Sequence, residues 1–410
     1  MFLKKGSNLL KSLIVLSSLV ILLFQTSPVM AVKVTANEKP ATAALKPIEQ
    51  LGKDIFFDKN LSSNGMMSCA TCHTPEVGFV GPDSDINATS AVYPGAVHTR
   101  FGNRKPPTAA YGGYSPILSY NEEEESWSGG MFWDGRATGW TTTLADPLAE
   151  QSQGPFLNPL EMNMPNAKLV CIRVAQSDYA KLFEQVWGKG SLDFIKDKDI
   201  DLFYKRIAQS IAAYERSAEV NPFTSKYDAY LKGDVGLSPK EEEGLKLFEG
   251  KGKCSACHIS ESGSKGSPPL FTDFTYDNLG LPKNPGNPYY SMPKNWNPDG
   301  KSWVDYGLGG FLKKAGKPYQ SELGKFKVPT LRNVDLRPNS KVVKVYGHNG
   351  YFKSLKEIVH FYNTRDVEKW PVPEYAETMN TDELGNLRLT DPEEDAIVAF
   401  MKTLSDGYSQ

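Results

Sequence analysis

Cysteine and histidine are both scarce in this chain, at five residues each among 410. So few cysteines exclude a small fold held together by many disulfides. Lysine and arginine number 46 against 48 aspartate and glutamate, and no basic stripe runs along any segment, so nucleic-acid binding is not expected. Segments that alternate apolar and polar residues are almost absent, which favours a mainly α fold.

The first 31 residues differ from the rest. Three lysines precede an apolar run over residues 12–24, and a small-residue cleavage site ends at Ala31. This pattern predicts a secretory signal peptide over residues 1–31, followed by a flexible leader over 32–45. An uncleaved anchor is the alternative, but the run is short for a bilayer span. We therefore expect a periplasmic protein with no membrane span after cleavage.

Four of the five cysteines lie in two copies of one motif. Cys69-Ala70-Thr71-Cys72-His73 recurs as Cys254-Ser255-Ala256-Cys257-His258. Two thiols at this spacing can add to the two vinyl groups of a haem, and the histidine that follows then becomes the proximal iron ligand. The motif thus predicts two covalently bound c-type haems, with His73 and His258 on the irons.

Other uses of paired cysteines are a redox dithiol, a disulfide or half of a zinc site. None of them requires a histidine directly after the second cysteine, and here one follows both times. The fifth cysteine, Cys171, lies in an apolar helical run and is expected to be a buried free thiol.

The repeat is longer than the haem motif. A predicted helix over 47–57 carries Gly52-x-x-x-Phe56 before the first motif, and a helix over 237–250 carries Gly244-x-x-x-Phe248 before the second, with Ser238 as its N-cap. Late helices are predicted over 200–216 and 392–404, and long loops over 74–130 and 259–340. We expect two cytochrome c-like haem domains in tandem, over 46–220 and 221–410.

The order of its motifs makes the chain resemble the bacterial dihaem cytochrome c peroxidases, including their MauG-type branch. The resemblance runs from about residue 46 to 406. It rests on Leu51-Gly52-Lys53, Phe56-Phe57-Asp58, the two haem motifs, Phe132-Trp133-Asp134-Gly135-Arg136-Ala137, Gln151, Gly154-Pro155, Glu161-Met162, Pro329-Thr330-Leu331-Arg332-Asn333-Val334 and His348-Asn349-Gly350.

The resemblance implies roles for several residues. Glu161 is expected to move the peroxide proton at the first haem, and Gln151 to hydrogen-bond the peroxide. Trp133 matches the tryptophan that relays electrons between the haems. Arg136 and Arg332 are candidate partners of haem propionates, since guanidinium pairs bidentately with carboxylate.

The second haem is where the branches of the family differ. Counting from the His-Asn-Gly word places Tyr362 where conventional members have a methionine ligand and MauG-type enzymes have tyrosine. A phenolate favours ferric and higher states of iron, whereas a thioether favours ferrous iron. Tyr362 is therefore the expected ligand, with His360, Met292 and Met401 as alternatives.

Two features depart from the family or stay open. The family's calcium ligand, an asparagine, is matched here by Lys105, which cannot bind calcium, although Asn103 is a possible substitute. Calcium therefore stays an open alternative. The segment 138–150 is longer than in the plain peroxidases and has no predicted function. His98 is either a surface residue or a cap on the resting iron.

These features lead to three functional hypotheses. The first is a peroxidase that reduces hydrogen peroxide to water with electrons from a small periplasmic redox protein such as a c-type cytochrome. The second is a MauG-type oxidase that uses peroxide equivalents to modify a residue of a partner protein. The third is a non-enzymatic electron-transfer cytochrome, against which the pair Gln151 and Glu161 argues.

Overall fold

The structure is a computed structural model that describes residues 44–141, 143–193, 197–263 and 266–409. The predicted signal peptide and nearly all of the predicted leader lie outside these residues. In the described part of the chain, no helix combines the length and the apolar character that crossing a bilayer requires.

α-Helices are the main regular elements of this structure, and long loops with short 3-10 turns connect several of them. The α-helices are α1 (Pro47–Phe57), α2 (Cys69–Cys72), α3 (Ser84–Thr89), α4 (Pro147–Leu157), α5 (Ala167–Ala175), α6 (Ala180–Trp187), α7 (Asp197–Glu215), α8 (Lys226–Leu231), α9 (Pro239–Glu249), α10 (Gly307–Lys314), α11 (Leu355–Thr364) and α12 (Asp391–Lys402). Single 3-10 turns include Lys59–Leu61, Pro75–Val77, Gly112–Tyr114, Cys254–Ala256, Pro288–Ser291, Gly300–Ser302 and Gln320–Glu322. Two antiparallel ribbons pair β1 (Ser119–Asn121) with β2 (Ser126–Ser128) and β3 (Tyr276–Asp277) with β4 (Phe326–Lys327). The prediction of a mainly α fold is confirmed.

Each haem motif is preceded by a helix that crosses a later helix at a glycine. A Cβ placed on Gly52 of α1 would lie 1.9 Å from the Ser210 carbonyl oxygen of α7, and one on Gly244 of α9 would lie 1.9 Å from the Ala396 carbonyl oxygen of α12. Only glycine permits so close a backbone approach. The four predicted helices are therefore present, and they form two equivalent crossed pairs.

The ends of these helices follow ordinary capping rules. The Ser238 hydroxyl accepts a hydrogen bond from the Glu241 amide at 3.4 Å, as predicted for the N-cap of α9. Helix α7 begins at Asp197, three residues before its predicted start, because the acidic and basic residues of its first turn give no apolar signal.

The apolar core has two large clusters, one formed by residues 51–220 and the other by residues 227–404. Cys171 is fully buried in the first cluster and has no disulfide partner, as expected. Hydrogen bonds join the two parts of the chain, for example from the Tyr111 hydroxyl to Asp406 Oδ2 at 2.6 Å. The division at residues 220 and 221 stays a prediction.

The two long loops meet each other. Arg104, in the first loop, donates two hydrogen bonds of 2.7 Å to the Asp305 carboxylate in the second. Ser128 at the end of β2 pairs with Thr275, just before β3. The loops thus form the seam between the two parts of the molecule.

Candidate active site

The two motif histidines make the same hydrogen bond to the backbone. His73 Nδ1 is 3.1 Å from the Phe79 carbonyl oxygen, and His258 Nδ1 is 2.9 Å from the Phe271 carbonyl oxygen. Since a carbonyl can only accept, each imidazole carries its proton on Nδ1 and leaves the Nε2 lone pair free. This arrangement fixes the ring and the tautomer of a metal-binding histidine.

The threonine of a Pro-Thr pair holds the backbone segment that contacts each histidine. Thr108 Oγ1 donates to the Gly78 carbonyl at 2.8 Å, and Thr330 Oγ1 donates to the Leu270 carbonyl at 2.7 Å. Each bond holds the residue just before the phenylalanine whose carbonyl orients the histidine. The internal repeat therefore extends from the haem motif to the Pro-Thr words.

A cavity of about 150 Å³ adjoins the first histidine. It is lined by residues that the sequence predicted separately: Cys72, His73, Trp133, Arg136, Gln151 and Glu161. A smaller cavity on the Cys69 side of the same histidine is also lined by Gln151. The structure thus brings together the predicted attachment residues, acid–base pair and relay of the first site.

Glu161 is positioned by the turn that follows α4. Its backbone carbonyl accepts from the Ala96 amide at 2.7 Å, and its Oε1 accepts from Asn158 Nδ2 at 2.8 Å. Burial raises the pKa of the Glu161 carboxyl, against the lowering effect of Arg136. A carboxyl whose pKa is moved toward neutrality can both accept and return a proton.

Trp133 lies between the two sites. Its indole Nε1 donates to the Lys105 carbonyl at 3.0 Å, and its own carbonyl accepts from the Lys327 amide at 2.9 Å. The buried ring borders both the first cavity and the second. The position fits the predicted electron relay.

The second cavity, of about 180 Å³, is lined by Cys254, Cys257, His258 and Tyr362. Burial and the neighbouring Asp277 raise the pKa of Tyr362 well above its usual value, so the side chain is a neutral phenol until a metal cation displaces its proton. This is the expected behaviour of a tyrosine that becomes a ligand only with its metal.

The alternative ligands on the second side are now distinguishable. His360 lies on another face of α11, where its ring contacts Glu394 Oε1 at 2.9 Å and Glu368 Oε2 at 3.2 Å. Met401 of α12 lines the same cavity as Tyr362. Met401 therefore stays a rival, whereas His360 is engaged elsewhere.

The two arginines are engaged with protein carboxylates. Arg332 is buried and donates to both Asp228 oxygens, at 3.0 and 2.9 Å. Arg136 is half-exposed, stacks over Phe132 and pairs with Asp134 at 2.8 Å. Arg332 also lines the second cavity, and its contact with a haem propionate stays a prediction.

Three lysines that line the second cavity were not predicted to do so: Lys105 and Lys344 are buried, and Lys327 is partly buried. Burial lowers the pKa of Lys105 to about 8, and the pKa of Lys327 and of Lys344 to about 7. Among the described residues none of the three forms an ion pair. Lys344 and Lys327 donate instead to backbone carbonyl oxygens, and the carboxylates of Asp277, Asp305, Glu374 and Glu383 line the same cavity. The only sequence signal is a lysine within an apolar run, as in Val343-Lys344-Val345.

These observations test the fit of haem. The cysteines of both motifs are free, each motif histidine has its Nδ1 against a backbone carbonyl oxygen, and each histidine borders a cavity. The residues present fit two haems. For calcium, the ammonium group of Lys105 stands where the resemblance requires a side-chain oxygen and cannot bind the ion, while Asn103, the alternative ligand, lines the first cavity together with Lys105.

The remaining predicted features have simple positions. His98 is exposed in the first loop. The segment 138–150 anchors α4. Asp146 caps the helix and accepts two hydrogen bonds of 2.7 Å from Arg216. The Trp140 indole donates to the Leu118 carbonyl at 2.7 Å. This segment therefore holds the helix that carries Gln151.

Two cysteine–histidine motifs beside cavities that share a tryptophan, with Gln151 and Glu161 in the first cavity, are the features of a dihaem oxidoreductase. Residues 46–236 match the family model described as di-haem cytochrome c peroxidase. The chain is 35% identical over 382 residues to the methylamine utilization protein MauG of Paracoccus denitrificans, with 90% of each chain covered. The chain belongs to the dihaem cytochrome c peroxidase and MauG family.

Other relatives include both branches of the family. The chain is 29% identical over 389 residues to the cytochrome c551 peroxidase of Nitrosomonas europaea, covering 93% of this chain and 87% of the relative. The crystal structure of the diheme peroxidase BthA from Burkholderia thailandensis E264 is similar, with a TM-score of 0.73 and 29% identity over 88% of this chain and 87% of that one. The protein is thus a haem oxidoreductase with peroxidase chemistry.

Proposed function

We propose that this protein is a periplasmic dihaem peroxidase that reduces hydrogen peroxide to water with electrons from a small redox protein such as a c-type cytochrome. Its haems would be attached through Cys69 and Cys72, and through Cys254 and Cys257. The observation that carries the proposal is that Gln151 and Glu161 line one cavity together with His73.

The chain's own groups would supply the proton transfers. A bound haem iron supplies an open coordination position and electrons for cleavage of the O–O bond. The Glu161 carboxylate takes the proton of the inner peroxide oxygen and returns it to the outer oxygen, which leaves as water. Overall, one peroxide takes up two electrons and two protons to give two waters. Gln151 holds the peroxide by hydrogen bonding.

Trp133 would pass electrons between the two sites. Its ring is buried, fixed at the indole nitrogen and in contact with both cavities, so little rearrangement accompanies a one-electron step. Each electron that Trp133 passes on would be replaced by one electron from the small redox protein.

The test is a rate. All-ferric enzyme is mixed with hydrogen peroxide and a reduced small c-type cytochrome, and oxidation of the cytochrome is followed. Rapid turnover without prior reduction supports the peroxidase. Peroxide consumption with only slow cytochrome oxidation opposes it and favours the second candidate.

The second candidate is a MauG-type oxidase that modifies a residue of a partner protein. Tyr362 favours it, because a tyrosine ligand suits high oxidation states of iron and this residue lines the second cavity. The similarity to the Paracoccus MauG protein supports the same branch. The non-enzymatic hypothesis has no such support, since the matching family model is described as di-haem cytochrome c peroxidase.

Tyr362→Phe tests the ligand on which this candidate depends. We expect the variant to keep two haems per chain and to change the absorption and electron paramagnetic resonance spectra of one of them. Met401→Leu is the matched control, because Met401 lines the same cavity. Unchanged spectra in Tyr362→Phe together with altered spectra in Met401→Leu would exclude Tyr362 as the ligand.

A further inference from the structure

The seam between the two parts of the chain contains a cage for a cation. The carbonyl oxygens of Val77, Asn333 and Leu336 converge on one point in the described structure. Val77 closely follows the first haem motif, whereas Asn333 and Leu336 follow the second. A cation held there is therefore bonded to both parts of the molecule.

The group that fills the cage is the ammonium of Lys344. Its Nζ lies 2.9 Å from the Val77 oxygen, 2.9 Å from the Asn333 oxygen and 3.0 Å from the Leu336 oxygen. An ammonium group has three N–H donors, so its hydrogen bonds match these acceptors one to one. A neutral amine has only two donors and would leave one buried carbonyl unpaired.

The backbone beside Lys344 is fixed by the first part of the chain. The Val343 amide donates to Ser84 Oγ at 3.1 Å, and the Val343 carbonyl accepts from Asn87 Nδ2 at 2.8 Å. Gly78, next to Val77, packs so closely that a Cβ on it would lie 2.8 Å from Asn333 Cβ. The cage is thus closed on several sides by contacts that cross the seam.

A second ammonium lies near the first. Lys105 is buried, its Nζ is 5.3 Å from the centre of the Trp133 ring, and its charge is close enough to lower the pKa of Lys344. Its backbone amide donates to the His348 carbonyl at 3.1 Å, and its carbonyl accepts from the Trp133 indole. Lys105 therefore lines both cavities and lies at the seam. It occupies the position at which the family's calcium ligand, an asparagine, has its side-chain oxygen.

We propose that the ammonium groups of Lys344 and Lys105 replace a bound divalent cation at this seam, so that the enzyme is calcium-independent. In its ammonium form Lys344 brings a positive charge to the carbonyl cage, and Lys105 brings one to within 5.3 Å of the centre of the Trp133 ring. In that form the two side chains also repel a free divalent cation. The relative position of the two parts of the chain then depends on these side chains and not on a bound metal ion.

The first experiment uses the haem-loaded wild-type enzyme. It is dialysed against calcium chloride and then against metal-free buffer, calcium is measured by mass spectrometry, and thermal unfolding is recorded with EGTA and with calcium chloride. We expect less than stoichiometric calcium and the same Tm in both solutions. One retained calcium per chain, or a lower Tm in EGTA, would overturn the proposal.

A pair of variants tests the cage itself. Lys344→Met keeps a long unbranched side chain but removes the three donors, so Tm should fall by several degrees. Lys341→Met is the control, since Lys341 is exposed three residues earlier. Equal Tm values for the two variants would show that the ammonium does not hold the seam. If Lys344→Met does not fold, the calcium measurement on the wild type decides.

Discussion

The sharpest prediction concerns the carboxyl of Glu161. In Glu161→Gln the amide oxygen can still accept the hydrogen bond that Asn158 Nδ2 now donates at 2.8 Å, so the side chain should keep its place. What the variant loses is the ability to take up a proton and return it. The loss is therefore chemical and not a loss of packing.

The size of the effect follows from that distinction. A positioned general acid–base group contributes about 10²–10⁴-fold to a rate. We expect kcat for peroxide reduction to fall by that factor. The apparent KM for peroxide should change much less, because Gln151 and the cavity remain.

The pH profile gives a second, independent readout. Glu161 must be deprotonated to accept the first proton, and burial raises its pKa above the ordinary value. Wild-type turnover should therefore rise with pH until this carboxyl is ionised, with a midpoint above that of an exposed glutamate. The rising limb should be absent in Glu161→Gln.

The assay is steady-state oxidation of a reduced c-type cytochrome by hydrogen peroxide, with haem content verified spectroscopically in each preparation. Glu76→Gln is the matched control, since Glu76 is exposed and lies just after the first haem motif. A loss of less than about tenfold, with the rising limb retained, would refute the assignment of Glu161 as the proton carrier.

Two further predictions concern the frame around the sites. Asp228→Asn leaves the Arg332 guanidinium buried without its carboxylate, and should lower the free energy of unfolding by about 3–5 kcal/mol in urea titrations. Although burial opposes it, Arg332 holds the pKa of Asp228 below its usual value. The stabilisation by this ion pair is therefore present above about pH 4 and is lost as the pH falls below that value. The variant should not show this loss. An equal fall in the free energy of unfolding at acid pH in both proteins would contradict the prediction. Gly244→Ala forces a methyl group against a carbonyl of the facing helix and should lower the free energy of unfolding by about 1–3 kcal/mol or more. The control Gly236→Ala should be nearly neutral, because the added carbon contacts nothing within 4 Å. Equal losses in the two variants would mean that the helix crossing tolerates a larger residue.

The parts of this structure that the sequence predicts are those encoded over a few residues. The Gly-x-x-x-Phe words, the Ser238 cap and the apolar faces of α1, α7, α9 and α12 each fit within one or two helical turns, which is why these helices were predictable. The haem motif is likewise local. The six-residue helices α3 and α8 are too short to give a periodic signal.

The parts that the sequence does not predict depend on contacts between distant residues. Arg332 pairs with Asp228, 104 residues earlier, and Lys344 bonds to Val77, 267 residues earlier. No local pattern marks either partner, so an arginine in a family motif was assigned to haem and a lysine in an apolar run was overlooked. Neither contact could be predicted, since the partner of a buried charge is set by the tertiary fold.

The duplication explains where chemical difference between the two sites must come from. His73 and His258 are held by the same carbonyl contact, the same Pro-Thr support and the same glycine-centred helix crossing, so these backbone contacts do not distinguish them. The difference lies in what else lines each cavity: Gln151 and Glu161 at the first, Tyr362 at the second. A proton carrier beside one histidine and a phenol beside the other would assign peroxide cleavage to the first site and charge storage to the second. Trp133, which contacts both cavities, is the only aromatic side chain among the described lining residues that the two share. Any exchange of electrons between the sites is therefore expected to depend on it.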